Sequence, residues 1–372
     1  MSKQKIGVGI IGASPVRGWA LNAHIPALRS LPQFELAAVS TSRKETAAEA
    51  SKVYGVSLAF DNHHDLLSRP EVDLAVISVK VPYHLELASA ALQARKAVYC
   101  EWPLGNGLAE AEQLAAMARE FGMVGRVGLQ ARSSPVINHL RQLLAEGYVG
   151  EVLSSSIVAS VSNFGPEVIS SSVYLLDRKN GASMLTIPFG HAVDAFCWCL
   201  GEFVELKATF ATRYPEVRVA DGVAVKSNIA DQISVSGTLQ NGAVASIHFH
   251  GSKSRGPGFQ WEINGTEGDL LIEGISGHIQ MTPVKLKGAR GAEKKVVDLP
   301  TPASCLWAPK ETPEGFPFNV AQAYVHVAED MMTGSEKAPT FDDAVMRHRM
   351  IEAIVTAAKT GRQQSYDLSR HS

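Results

Sequence analysis

Short apolar runs alternate with longer amphipathic stretches through the first 130 residues, and this alternation is the feature that most constrains the fold. Four runs are almost free of polar side chains, as strands buried on both faces of a parallel sheet must be. They cover residues 6–12, 34–40, 73–79 and 96–101, and helical patterns lie between and after them at 44–55, 84–94 and 108–122. Strands that alternate with helices predict an α/β fold with a doubly wound parallel sheet.

The pattern of apolar and polar residues changes near residue 150. Segments with a period of two are separated by turns such as Asn241-Gly242 and Asn264-Gly265, which suit hairpins because Asn-Gly tolerates positive φ. They predict a mainly antiparallel sheet. Residues 340–361 have apolar positions at helical spacing, so a C-terminal helix is expected to close the chain. With 372 residues the chain is long enough for two domains, which we place at 1–133 and, with α+β structure, at 134–372.

The charge balance excludes several classes of partner. The 35 Lys and Arg residues nearly match the 37 Asp and Glu residues, and no segment concentrates one sign. Neither direct nucleic-acid binding nor binding to an anionic membrane surface is therefore expected. No stretch approaches the roughly 18 apolar residues of a membrane span. The four cysteines lack the spacing of zinc or CxxC redox sites, which favours a reducing, cytoplasmic location.

A glycine-containing turn follows the first apolar run and precedes a helix-like stretch. Its sequence is GIIGASPVRGW at 9–19. Small residues let a pyrophosphate approach the backbone, and a helix N-terminus offers it free N–H groups. Ser14 occupies the position of the second glycine of the usual dinucleotide fingerprint, and Gly18 lies one residue late. The βαβ context favours a nucleotide site over a plain tight turn.

The ends of later strands offer further contacts for a nucleotide, because doubly wound sheets bind ligands at the carboxyl ends of their strands. After the second strand come Ser42 and Arg43 with no acidic residue nearby, so we predict NAD and leave NADP open. The segments VPYH at 81–84 and Glu101-Trp102-Pro103 follow two other strands. The Trp102-Pro103 bond is one at which a cis peptide can occur.

Ionisable residues in the second half can carry chemistry. In Gly190-His191-Ala-Val-Asp194 the spacing places His191 and Asp194 on one face of a helix. Tyr174 and Lys179 precede them and can act as acid, base or substrate contacts. A histidine in an apolar stretch is also commonly structural, so both interpretations stay open. No metal site is predicted, because the other histidines lack carboxylate or thiolate neighbours at ligand spacing.

These motifs resemble those of the glucose-fructose oxidoreductase / inositol dehydrogenase / rhizopine-catabolism family over nearly the whole chain. Within that family the chain is similar to the fungal galactose-regulon repressor branch and its bacterial relatives, through stretches at 17–20, 129–135, 146–151, 189–194 and 265–269. The resemblance implies an N-terminal Rossmann domain and a C-terminal domain with an open, largely antiparallel sheet. It also implies a homodimer or a dimer of dimers.

The resemblance further implies which residues contact the nucleotide, in the phosphate turn, near the ribose, along the strand ends and beside the nicotinamide. They are Gly12, Ser14, Arg17, Trp19, Ser42, Arg43, Ser78, Pro82, His84, Glu101, Trp102, Gln130 and Arg132. The family's usual lysine of the Glu-Lys-Pro motif is Trp102 here, and the aspartate often found four residues before the histidine is Ile187. An indole cannot accept a proton near neutral pH, so the ordinary base is absent.

Three functions fit this pattern. The first is an NAD(P)-dependent enzyme acting on a pyranose or glycoside, either by net dehydrogenation or by redox-neutral cleavage through transient oxidation, elimination and hydride return. His191 would be its base, ahead of Tyr174 and Lys179, while Asp194 would orient the imidazole or hold a substrate hydroxyl. An anionic sugar would be bound by cations, of which the sequence offers Arg132, Lys179, Lys253 and Arg255.

The second function is a non-catalytic nucleotide-binding sensor or transcriptional co-regulator. Trp102 favours it, because the resemblance includes tryptophan at the repressor's equivalent position. The third is a family member that binds a sugar without turnover or regulation.

Overall fold

The computed structural model describes residues 5–220 and 222–369. Contacts divide these residues into two compact units, called here the N-terminal unit, 5–130 with 306–345, and the C-terminal unit, 131–305 with 346–369. The first change of unit falls after residue 130, and the boundary at 133–134 stays a prediction. Residues 306–345 belong to the N-terminal unit although they follow the C-terminal unit in sequence. Each unit is therefore formed from two separate segments of the described chain.

A six-stranded parallel sheet organises the N-terminal unit. Its strands are β1 Ile6–Ile11, β2 Phe34–Ser40, β3 Leu58–Phe60, β4 Leu74–Ile77, β5 Ala97–Glu101 and β6 Gly125–Gly128. They lie in the order β3-β2-β1-β4-β5-β6, with every pairing parallel. The strands are apolar because both faces are covered, and Val8, Ile10 and Val76 expose no surface. The predicted doubly wound sheet is confirmed.

Five helices follow these strands in turn. They are α1 Ile25–Arg29, which continues a π-helical turn at Ala20–His24, α2 Lys44–Tyr54, α3 His63–Leu67, α4 His84–Gln93 and α5 Leu108–Glu120. The strand order reverses between β1 and β4, and such a reversal leaves a crevice for ligands at the carboxyl ends of the two strands.

The C-terminal unit contains helices α6 Pro135–Ala145 and α7 Gly190–Leu200 and two sheets. Its strands are β7 Val152–Ser160, β8 Glu167–Val168, β9 Phe203–Ala211, β10 Glu216–Val219, β11 Ala224–Lys226, β12 Gln232–Leu239, β13 Val244–His250, β14 Phe259–Gly265, β15 Gly268–Gly274, β16 Val284–Arg290 and β17 Val297–Asp298. The large sheet has the order β17-β16-β15-β14-β7-β13-β12-β9, and β11-β10-β8 form a small sheet. Within the large sheet the β7–β13 pairing is parallel and the others are antiparallel. The mainly antiparallel second sheet is therefore confirmed.

The two predicted Asn-Gly turns have different outcomes. Gly242 connects β12 to β13 with a φ of 86°, as a hairpin turn requires. Gly265 instead ends β14 and pairs with Val152. The predicted hairpin is present, since β14 and β15 pair antiparallel and Thr266 and Glu267 connect them. A Cβ on Gly265 would lie 2.2 Å from the carbonyl oxygen of Val149, so this glycine permits a close backbone approach and does not supply a positive φ.

Two long helices complete the chain. They are α8 Phe316–Thr333 and α9 Phe341–Thr360, the second of which matches the predicted C-terminal helix. Within the N-terminal unit α8 packs against α1, and Tyr324 of α8 is fully buried. Over the ranges that the structure describes, no helix has the length and apolar character needed to cross a membrane.

Candidate functional site

The phosphate turn begins where β1 ends. The backbone N–H groups of Gly12 and Ala13 both donate to the carbonyl oxygen of Ser40, at 3.0 and 3.1 Å, which joins the ends of β1 and β2. Gly12 has a φ of 94°, and a Cβ on it would lie 2.3 Å from the carbonyl oxygen of Ser78. Only glycine satisfies both conditions, so Gly12 lets the turn after β1 approach the segment after β4 closely.

The structure places the predicted nucleotide contacts along the carboxyl edge of the parallel sheet. Ser14, Arg17 and Trp19 follow β1, Ser42 and Arg43 follow β2 and are exposed, and Ser78 and Pro82 follow β4. The hydroxyl oxygen of Ser78 and the indole nitrogen of Trp19 are buried without a hydrogen-bond partner among the described residues. Unpartnered buried polar atoms beside a glycine turn fit a polar ligand such as a dinucleotide.

His84, the first residue of α4, faces two carbonyl groups. Its Nδ1 lies 2.8 Å from the carbonyl oxygen of Pro103 and its Nε2 lies 3.1 Å from that of Val79. Burial lowers the pKa of this imidazole, and a neutral imidazole has a single N–H to donate. His84 can therefore donate to only one of these carbonyl groups at a time, either after β4 or after β5. Its predicted contact with the nucleotide stays a prediction.

Glu101, the last residue of β5, belongs to a buried polar chain. The side-chain amide of Gln130 donates to both carboxylate oxygens, at 2.8 and 3.0 Å. His24 Nε2 lies 3.2 Å from Glu101 Oε1, and His24 Nδ1 lies 2.8 Å from the hydroxyl of Tyr324. The sequence paired neither His24 nor Tyr324 with this edge of the sheet. Trp102, next along the chain, is buried, and its bond to Pro103 is cis.

In the C-terminal unit, helix α7 carries His191 and Asp194. The guanidinium of Arg132 donates to both oxygens of Asp194, with two contacts of 2.7 Å, and Arg347 Nε donates to Oδ1 at 3.3 Å. Asp194 has no exposed surface. Its carboxylate is therefore engaged by two cations, whereas the sequence led us to pair it with His191. Arg132, predicted to contact the nucleotide, is also tied to this carboxylate.

The ion network continues through α9 to the C-terminal segment. Arg347 donates to both oxygens of Glu202, at 3.1 and 2.7 Å, and the hydroxyl of Tyr366 donates to Glu202 Oε2 at 2.7 Å. Burial acts to raise the pKa of Glu202, but Arg347 outweighs it and the pKa is lowered. Two arginines and two carboxylates thus form a buried, charge-matched cluster, which we call the Asp194 network. Sequence reasoning missed Arg347, Glu202 and Tyr366.

His191 differs from Asp194 in lacking such partners. It is 3% exposed, and its Nδ1 has no hydrogen-bond partner within the described ranges. Burial first, and then the neighbouring His278, lower its pKa to about 3. The imidazole is therefore neutral at pH 7 and has an acceptor or donor atom available for a ligand.

The other two predicted catalytic groups precede α7. Tyr174 lies in the 3-10 segment Ser170–Leu176, and burial raises the pKa of its hydroxyl. Lys179 lies in Arg178–Asn180 and is exposed. Their roles stay predictions. The exposed His248 and the half-buried His250 have ring centroids 6.0 Å apart. Among the residues described, no group of three or more His, Cys, Asp or Glu side chains is placed to hold a metal ion.

Lowering the pH from 7 to 5 is expected to reduce the free energy of unfolding by about 1–2 kcal/mol for each of His191 and His278. Their folded pKa values, about 3 and about 4, lie below the unfolded value, so the unfolded chain takes up protons first and stability falls as the pH drops below about 6.5. Urea unfolding at both pH values measures this. The double variant His191→Gln/His278→Gln should lose the share of the dependence that these two residues contribute, while His348, whose pKa is also lowered to about 3 by burial, keeps its own share. His248→Gln should keep the whole dependence. An unchanged dependence in the double variant would contradict the assignment.

The parallel sheet, its glycine turn and the reversal of strand order are those of a Rossmann-type nucleotide-binding fold. The profile described as "Oxidoreductase family, NAD-binding Rossmann fold" matches residues 6–129, and that of "Gal80p, C-terminal domain" matches 135–274. The chain is 32% identical to dehydrogenase aclE of Aspergillus oryzae over 379 residues, covering 98% of this chain and 99% of that one. The chain belongs to the glucose-fructose oxidoreductase / inositol dehydrogenase / rhizopine-catabolism family, and its N-terminal unit contains an NAD-binding domain.

The chain is also similar in sequence to a regulatory protein and in fold to a solved dehydrogenase. The galactose/lactose metabolism regulatory protein GAL80 of Saccharomyces cerevisiae is 29% identical over 302 residues, covering 76% of this chain and 69% of its own. A levoglucosan dehydrogenase solved with NADH and levoglucosan has a TM-score of 0.84 at 21% identity, with 98% of this chain and 100% of that chain covered. At that identity the structural match establishes the shared fold alone.

Proposed function

We propose that the protein is an NAD-dependent oxidoreductase that acts on a hydroxyl-bearing carbon of a pyranose or glycoside. In this proposal His191 accepts a hydrogen bond from the substrate hydroxyl. The observation that carries the proposal is the neutral, buried imidazole of His191, whose Nδ1 has no partner among the described residues. It lies in a chain whose other unit contains an NAD-binding domain. A relative, the levoglucosan dehydrogenase of Pseudarthrobacter phenanthrenivorans, is named for a sugar substrate.

The nucleotide would be held by the phosphate turn and by the strand-end residues, with Gly12, Ser78 and Trp19 supported by the geometry described above. When bound, NAD supplies an acceptor for hydride from the carbinol carbon. The chain's own residues must then align the hydroxyl and remove its proton.

His191 can accept the hydrogen bond of that hydroxyl. With a pKa of about 3 it does not retain the proton at neutral pH, so a further group must pass it to solvent. Tyr174 and Lys179 are the proposed relay. Asp194 is proposed to hold α7 in place through Arg132 and Arg347, which replaces the direct roles first considered for it.

Two net outcomes are compatible with this chemistry, and one assay separates them. The protein, NAD⁺ and a panel containing levoglucosan, free pyranoses and p-nitrophenyl glycosides are monitored for NADH absorbance and for nitrophenol. NADH formation indicates net dehydrogenation. Nitrophenol release that depends on NAD⁺ but leaves no NADH indicates redox-neutral cleavage. The oligomeric form, a homodimer or dimer of dimers, stays a prediction.

With whichever substrate is turned over, His191→Gln is expected to lower kcat/KM about 100-fold or more, because a positioned proton acceptor contributes about 10²- to 10⁴-fold. His248→Gln is the matched control, since this histidine is exposed on β13, and it should stay within about two-fold of the wild type. Equal activity in the two variants would contradict the role given to His191.

A second candidate function is a nucleotide-binding regulator without turnover. The observations that favour it are the 29% identity to GAL80 and the match to the Gal80p C-terminal domain. If the protein is such a regulator, calorimetry should show that NAD⁺ binds, while no sugar of the panel is oxidised or cleaved.

A further inference from the structure

Glu101 lies where β5 ends, at the carboxyl edge of the parallel sheet of the N-terminal unit. In a doubly wound sheet the first two strands hold the adenosine half of a dinucleotide, and the other half crosses to the strands beyond the point where the strand order reverses. Strands β4 and β5 lie beyond that point. The Glu101 carboxylate is therefore placed on the part of the sheet edge that takes the nicotinamide nucleotide.

The Glu101 carboxylate is the partly exposed end of a polar chain that is otherwise buried. Its side chain is 15% exposed, whereas His24 and Tyr324 are fully buried and Gln130 is 1% exposed. The amide of Gln130 donates to both carboxylate oxygens, but an ionised carboxylate has about four acceptor positions. Acceptor positions therefore remain for a hydroxyl group that reaches this edge of the sheet.

His24 connects the carboxylate to helix α8. It ends the π-helical turn that follows the phosphate turn. Its Nε2 lies 3.2 Å from Glu101 Oε1 and has no other partner among the described residues, while its Nδ1 lies 2.8 Å from the hydroxyl of Tyr324. With a proton on Nε2 and the Tyr324 hydroxyl donating to Nδ1, no lone pair faces another lone pair. Tyr324 therefore directs the N–H of His24 at the carboxylate.

Aromatic packing fixes this orientation. The ring centroid of Tyr324 lies 5.0 Å from that of Tyr99 and 5.4 Å from that of Phe34, and the His24 ring meets Tyr99 edge-on at 5.8 Å. Rings buried at the density of a protein core keep one rotamer. The direction of the His24 N–H is thus set by the fold before any ligand binds, as a preorganised binding site requires.

We propose that His24 and Tyr324 are positioning residues of the nucleotide site, which hold Glu101 so that its carboxylate accepts a hydroxyl of the ribose that carries the nicotinamide. Carboxylates at strand ends accept ribose hydroxyls in sheets of this kind. The resemblance to known families assigned no role to either positioning residue. The inference concerns the NAD-binding domain and depends neither on the sugar nor on His191.

Calorimetric titration of the full chain with ADP, ADP-ribose and NADH tests this assignment. ADP lacks the second ribose, and ADP-ribose carries it without the nicotinamide. His24→Leu removes the N–H that faces the carboxylate. We expect it to weaken ADP-ribose and NADH about ten-fold, the effect of one hydrogen bond to a charged group, and to leave the affinity for ADP unchanged within about two-fold.

Further variants separate positioning from a general loss of structure. His24→Gln keeps an N–H near the place of Nε2 and should recover most of the lost affinity. Glu101→Gln should weaken the same two ligands about ten-fold, and adding His24→Leu to it should cost less than about two-fold more, since His24 acts through Glu101. Tyr324→Phe keeps the packed ring and should weaken both ligands about three-fold, which gives a result even if His24→Leu does not fold.

His326→Leu is the matched control, because this histidine of the same unit also faces a glutamate, with its Nδ1 3.6 Å from Glu329 Oε2. It should change the affinity for none of the three ligands. An equal loss of ADP affinity in His24→Leu and Tyr324→Phe would overturn the proposal, and so would a loss confined to NADH or full additivity with Glu101→Gln. None of these results bears on sugar turnover, whose failure is detected by the assays above.

Discussion

Replacing Asp194 with asparagine is expected to lower the free energy of unfolding by about 3–5 kcal/mol, the usual cost of removing one partner of a buried ion pair. Asp194 is fully buried and accepts hydrogen bonds from Arg132 and Arg347. An asparagine keeps the shape of the side chain but removes its charge. The Asp194 network would then hold two arginines against the single carboxylate of Glu202, and that uncompensated charge is what destabilises the fold.

Urea unfolding at pH 7 measures this effect. Asp298→Asn is the matched control, because Asp298 is exposed on β17 and surface substitutions usually change stability by less than about 0.5 kcal/mol. Similar unfolding free energies for the two variants would mean that Asp194 does not anchor α7 in the way described.

Replacing Gly12 with alanine is expected to weaken NAD⁺ binding about 100-fold or more and to destabilise the N-terminal unit. The added Cβ would lie 2.3 Å from the carbonyl oxygen of Ser78 and 2.6 Å from Val79 Cγ1, so the ends of β1 and β4 must separate. The φ of 94° adds strain for any residue with a side chain. Both effects act on the turn that the pyrophosphate would approach.

The control for this prediction is Gly18→Ala in the same turn. Gly18 also has a positive φ, 107°, but a Cβ on it would meet no described atom within 4 Å. The pair therefore separates backbone strain from close approach. Calorimetry with NAD⁺ should show a much larger loss for Gly12→Ala than for Gly18→Ala. Equal affinities in the two variants would contradict the importance of the close contact.

The N-terminal sheet could be predicted from the sequence because strands buried on both faces must be apolar, and the runs at 6–12 and 73–79 display this directly. The phosphate turn was predictable for a related reason, since Gly12 has a local steric requirement. Gly265 shows the limit of such reasoning. Its backbone packs closely against that of Val149, a residue distant in sequence. The local Asn-Gly pattern does not indicate this contact.

The C-terminal site could be predicted only in part. Helical spacing reveals neighbours three or four residues apart, so it linked Asp194 to His191. The observed partners of Asp194 are Arg132 and Arg347, which are 62 and 153 residues away. No local sequence pattern indicates pairs that are so far apart along the chain. The contact of His278 with Asn163, 115 residues away, is likewise made only by the fold.

Hydride transfer by this protein is detected by following a deuterium label from the nucleotide to the sugar. The full chain is incubated with NADH deuterated at C4 of the nicotinamide and with a pool of oxidised sugars that includes 1,5-anhydro-D-fructose, and the sugars are analysed by mass spectrometry and NMR. We expect deuterium bonded to a carbinol carbon of a reduced sugar, and loss of this transfer in His191→Gln. A sugar pool that stays unlabelled while calorimetry shows the protein saturated with NADH would contradict it.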